Sequence, residues 1–120
     1  MRVWAAISDE VISNMVETAI NIRWPSSGQL VPYGLSETGR LDGIDNCDLA
    51  LVDMDLKDAD PNEIIRRISE VSDVPLIALS SITTDKSSGP KVLSDGAVDY
   101  LIKPIELIDL IFHMESFAKG

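Results

Sequence analysis

The chain has 120 residues, 45% hydrophobic and 25% charged, and twenty Asp and Glu against ten Lys and Arg give a formal net charge of -10. That length suits a single domain over residues 1–120 with a core of its own. So acidic a surface argues against nucleic acid or an anionic membrane as its partner.

Residues 3–7 form an unbroken apolar run, the pattern of a short strand buried on both faces. Val11, Ile12, Met15, Val16, Ala19 and Ile20 then recur at the spacing of one helical face. Trp24-Pro25 stops that helix, because the residue before a proline is pushed out of the α region. Residues 29–33 make a weaker strand, which Pro32 demotes to an edge position or a shorter strand. Residues 36–44 carry Gly39 and Gly43, so any helix there is short or irregular.

Residues 49–52 give a second strong strand. Asp60, Pro61 and Glu63 resemble a capping box with proline at the first helical position. The helix they open turns Ile64, Ile65, Ile68 and Val71 inward and Arg66, Arg67 and Glu70 to water. A third strand follows at 74–79, then a poor helix that begins with Ser88-Gly89-Pro90, a strand at 97–102 and a last helix from about 105 to 117. Strands that alternate with helices imply right-handed crossovers and an α/β fold, a parallel sheet covered on both faces.

In such folds the ligand site lies at the carboxyl ends of the strands. There the sequence sets Ser8-Asp9-Glu10, Asp53-Met54-Asp55, Ser80-Ser81 and Lys103-Pro104. Neighbouring carboxylates resist ionising together unless a cation stands between them. An all-oxygen site with two acids suits Mg²⁺. A lysine and a hydroxyl beside it would hold the oxygens of a phosphoryl group, and the set fits an aspartyl-phosphate.

Here the sequence resembles a known family over essentially its whole length, the receiver domains of two-component response regulators. Asp48-Leu49-Ala50-Leu51-Val52-Asp53 resembles the family's phosphoacceptor strand. Val74-Pro75-Leu76-Ile77-Ala78-Leu79-Ser80-Ser81 resembles its fourth strand, and Gly96-Ala97-Val98-Asp99-Tyr100-Leu101-Ile102-Lys103-Pro104 its fifth. The resemblance implies a flavodoxin-like, doubly wound, five-stranded parallel sheet with about five helices, and a Lys103-Pro104 bond that is commonly cis.

It further implies Asp53 as phosphoacceptor, Lys103 as the partner of the phosphoryl oxygens, and Ser80 and Tyr100 as switch residues. Asp9, Asp53 and the backbone carbonyl of Asp55 would hold Mg²⁺, with Ser8 and Glu10 near the ion through water. A histidine kinase or phosphotransfer protein would supply the phosphoryl group. The fourth helix, fifth strand and fifth helix would form the output face, with a homodimer as one use of it. Apolar residues wrap the last helix more widely than one core stripe requires, which supports a contact surface there. The domain would catalyse only its own phosphorylation and dephosphorylation, with transcription regulation as the expected setting, either as a stand-alone receiver or as a piece of a longer regulator.

The sequence departs from the family pattern at Ser8, in the loop after Asp53 and in a weak second helix. Ser8 replaces the first acid of its usual acidic pair, and Lys57 stands where a proline is usual, with the glycine that normally follows missing. Weaker Mg²⁺ binding is expected from the first, and an altered loop from the second. Two other functions compete: a receiver-fold interaction module independent of phosphorylation, and a phosphohydrolase of the haloacid dehalogenase type, suggested by Asp53-Met54-Asp55. The Asp55 carboxylate is expected to face solvent, His113 to serve packing or the surface, and Cys47 to be inert. Cys47 is the single cysteine, and residues 1–7 are too short for a secretory signal, so a reducing, cytoplasmic setting is expected. No apolar run approaches the ~20 residues of a membrane span.

Overall fold

The structure, a computed structural model, describes residues 1–32, 44–57, 59–81 and 96–117. In chain order these form β1 (Arg2–Ala6), α1 (Glu10–Arg23), β2 (Gln29–Pro32), a turn of 3-10 helix (Ile44–Asn46), β3 (Leu49–Asp53), α2 (Pro61–Val71), β4 (Leu76–Ser81), β5 (Asp99–Lys103) and α3 (Leu107–Phe117). All strand pairs are parallel, in the order β2-β1-β3-β4-β5. This is the flavodoxin-like sheet expected from the sequence, with Pro32 on an edge strand. The expected second and fourth helices fall almost wholly outside the described residues.

Side chains alternate across the sheet with period two. Val3, Ala5, Leu49, Leu51, Ile77, Leu79 and Leu101 join one core with α1 and α3. Trp4, Ala6, Ala50, Val52, Leu76 and Ala78 join the other with α2. Every residue of β3 is buried, as the central strand of a doubly covered sheet must be. Each Leu, Ile or Val fully withdrawn from water contributes ~1.5–3 kcal/mol, so these two layers dominate stability.

Local signals act as their chemistry requires. α1 ends at Arg23, with the Trp24 N–H donating to the Ile20 carbonyl. Asp60 caps α2 by accepting the Asn62 N–H, and Pro61 stands in the first turn. The Lys103-Pro104 bond is cis. Gly96 has φ +130, a conformation that side chains disfavour, and a Cβ there would collide with Ser69.

Two apolar faces are narrower than their sequence spacing suggests. Val11 is 70% exposed and Val71 57% exposed. Adjacent residues on a helix point about 100° apart, so Val11 and Ile12 cannot both centre the stripe. Ile12, Val16, Ala19 and Ile20 take it. Val71 is the last residue of α2, after Ile64, Ile65 and Ile68 have filled the contact.

Candidate functional site

Strand order reverses between β1 and β3, which places the crevice at their carboxyl ends. A cavity of about 530 Å³ opens there, lined by Ser8, Asp9, Glu10, Asp53, Asp55, Lys57 and Lys103. The first three follow β1, the next three end or follow β3, and Lys103 ends β5. Three chain segments thus deliver four acids and two lysines to one rim.

Asp53 is 1% exposed. Its Oδ1 accepts the Asp55 N–H at 2.9 Å and the Lys103 Nζ at 2.8 Å. The same Nζ reaches Asp55 Oδ2 at 3.1 Å, so the ammonium bridges two carboxylates. Burial pulls the Lys103 pKa down, but hydrogen bonds and charge from Asp53 and Asp55 outweigh it, and the net shift is upward. Lys103 is therefore a fixed cation against the buried acid. The Asp55 carboxylate, expected to face solvent, is half of this bridge although the residue is exposed.

The loop after β3 is held by β4 and by the end of its own strand. Met54 N–H donates to the Leu79 carbonyl at 2.8 Å and Leu56 N–H to the Asp53 carbonyl at 3.2 Å, and the Leu56 side chain is buried. From the other side, Asp9 Oδ1 accepts the Val11 N–H at 2.9 Å as the cap of α1. Ser8 Oγ accepts the backbone N–H of Lys57 at 3.2 Å across the cavity mouth. Sequence reasoning missed both of these bonds. An acid just before a helical pattern is a cap signal, whereas the Ser8 bond uses a main-chain donor far along the chain and leaves no trace in residue types.

Ser80 is buried near the end of β4, in register with Ile102, and Ser81 stands opposite Lys103. Tyr100 is half-buried on β5, packed against the α2-side core and in register with Ala78. Among the described residues neither Ser80 nor Tyr100 lines the cavity. His113 Nδ1 lies 2.6 Å from Asp99 Oδ2, joining α3 to β5. Cys47 is buried, which pushes its thiol pKa up, with Arg2 opposing and Asp48 adding to the shift.

Among the described residues no three His, Cys, Asp or Glu side chains gather closely enough to cage a metal by themselves. This donor set fits Mg²⁺, a hard ion held by one or two carboxylates that keeps several waters. Asp9 and Asp53 are acids that line the cavity and could serve it.

Residues 10–115 match the response regulator receiver domain family. The chain belongs to that family. Solved structures similar to this receiver domain include a two-component response regulator from Clostridium difficile, with 19% identity, 98% of this chain and 94% of that chain covered, and a TM-score of 0.81. HP1043, an orphan response regulator of H. pylori, shares 23% identity over 99% of this chain and 97% of that one, with a TM-score of 0.78. The receiver domain of TorR, the response regulator of a TMAO respiratory system, shares 20% over 96% and 93%, also at 0.78. At these identities the likeness is one of fold. No curated protein matches the sequence. The phosphohydrolase reading rested chiefly on Asp53-Met54-Asp55, and membership of the receiver family replaces it. No helix among the described residues is long and apolar enough to cross a membrane.

Proposed function

We propose that this receiver domain accepts a phosphoryl group on Asp53 from a histidine kinase or phosphotransfer protein and relays the change to a partner-binding face. The observation that supports this most is the buried Asp53 carboxylate with Lys103 Nζ 2.8 Å away, at the sheet's switch point, in an acid-rimmed cavity. In the transfer an Asp53 oxygen attacks phosphorus as the bond to the donor's imidazole nitrogen breaks. The imidazole leaves with the electron pair and takes a proton. Lys103 already stands at Asp53 and has further N–H groups for the phosphoryl oxygens.

Mg²⁺, held by Asp9, Asp53 and the Asp55 carbonyl, would offset the charge of the incoming group. Glu10 and Ser8 stand beside that position. Ser80 and Tyr100 would carry the change toward β5 and α3, a shift between two arrangements of one fold. The domain turns over no separate substrate, and its chemistry is confined to forming and hydrolysing its own acyl phosphate in the cytoplasm.

Incubation with a small acyl phosphate and Mg²⁺, followed by intact mass, is expected to show one phosphoryl group on the wild type and none on Asp53→Asn. Chelation should abolish the adduct. Phosphorylation that persists in Asp53→Asn overturns the assignment. A second reading, an interaction module that needs no phosphorylation, draws support from Ser8 in place of an acid and from a Lys103 already satisfied by two carboxylates. No adduct, with partner binding intact, would favour it.

A further inference from the structure

Two of the positions that depart from the family pattern are bonded to each other. Ser8 replaces an acid, Lys57 replaces a proline, and the Lys57 N–H donates to Ser8 Oγ at 3.2 Å across 49 residues of sequence. A proline at residue 57 has no N–H to give. We propose that Ser8 and the Lys57 amide form a latch that closes the two acid-bearing loops over Asp53 without a cation and so sets the distance across which Asp9 and Asp53 hold one. The metal half of this inference rests on the function proposed above; the latch itself does not.

The placement of the bond carries the argument. β1 and β3 pair in register up to Ala6 and Val52, and beyond these the chains leave the sheet as two loops. One loop ends in Asp9 at the start of α1, where Glu10 follows, and the other carries Asp55, with Asp53 at its root, so like charges face each other across the cavity. The latch joins these loops past the last paired residues. Both of its ends are anchored: Ser8 precedes Asp9, which caps α1, and Lys57 follows the buried Leu56, whose N–H is held by the Asp53 carbonyl. An acid at residue 8 would add a fifth carboxylate to the four already on the rim and make closure depend on a cation. A hydroxyl makes the same reach while neutral.

A latch of this kind makes Ser8 and Lys57 positioning residues, and the Lys57 ammonium is not what does it. The test is amide hydrogen exchange by NMR in metal-free protein, paired with Mg²⁺ titration. In the wild type the Lys57 and Asp55 amides should be protected, and Ser8→Ala should speed their exchange about threefold to tenfold, the worth of one hydrogen bond. Ser8→Thr, which keeps the hydroxyl, should restore protection. Mg²⁺ affinity should fall by a similar factor in Ser8→Ala and in Lys57→Pro, and no further in the double variant. Lys57→Ala keeps the amide and should bind Mg²⁺ at least as tightly as the wild type.

Exchange unchanged by Ser8→Ala overturns the latch whatever the metal does. Additive losses in the double variant, or a loss in Lys57→Ala equal to that in Lys57→Pro, overturn it too. A wild type that binds no Mg²⁺ but loses amide protection in Ser8→Ala supports the latch and sinks the metal reading instead. Should Lys57→Pro fail to fold, the Ser8→Ala and Ser8→Thr arms still decide.

Discussion

The Asp9 carboxylate caps α1 through the Val11 N–H and also lines the cavity of Asp53, so one side chain both holds a helix end and borders the candidate site. The two separate by substitution. Asp9→Asn keeps an equally good cap and should leave the urea midpoint nearly unchanged while Mg²⁺ affinity drops at least about tenfold. Asp9→Ala loses the cap as well and should cost ~1 kcal/mol more in stability. Lys103 gives a pH test. Its folded-state pKa lies above the ordinary value, so its contribution is complete below that value, about 10.4, and is lost as pH climbs through the folded pKa. Lys103→Met should therefore be less stable than the wild type at neutral pH, with the gap closing in alkali; a gap that widens with pH would contradict the pairing. Residue types alone exposed Asp53, Asp9 and Lys103, because acids and a lysine at strand ends are chemically conspicuous. The Ser8–Lys57 bond stayed hidden because its donor belongs to the backbone.

Elements were legible where one local rule governs them. Asp60-Pro61 opens α2 and Trp24-Pro25 closes α1 because capping and the restriction before proline act within a few residues. Strand limits drifted at both ends: β3 runs one residue past its apolar run to include Asp53, and β4 begins two residues later than its run and continues through Ser80 and Ser81. Parallel pairing with a neighbour, not hydropathy, decides those ends. Gly96 is the clearest case of a sequence mark whose reason is geometric. Its φ of +130 and its contact with Ser69 on α2 leave no room for a side chain. Gly96→Ala is expected to lower stability by ~1–3 kcal/mol, read from urea unfolding. A loss under about half a kcal/mol would show that the turn before β5 relaxes freely.

At the scale of the whole molecule, the sheet sorts the helices: α1 and α3 share one core, α2 the other. α3 is fixed along both flanks, by Glu115 paired with Arg23 of α1 and by His113 paired with Asp99 of β5, while Leu110 and Met114 fill the core beneath. Ile108 and Phe112, one turn apart, are left 77% and 66% exposed. β5 beside them is the last strand of the sheet. Pairs of large apolar side chains held outward on a rigid helix suit a contact surface better than a core. The expected fourth helix, the other part of that output face, lies outside the described residues. If α3 serves this purpose, sedimentation should show a larger species when the domain carries a phosphoryl mimic than when it does not. Phe112→Glu should return it to the monomer with the fold intact, because that ring contributes little burial. A monomer with and without the mimic, together with partner binding that Phe112→Glu leaves unchanged, would remove α3 from the output face.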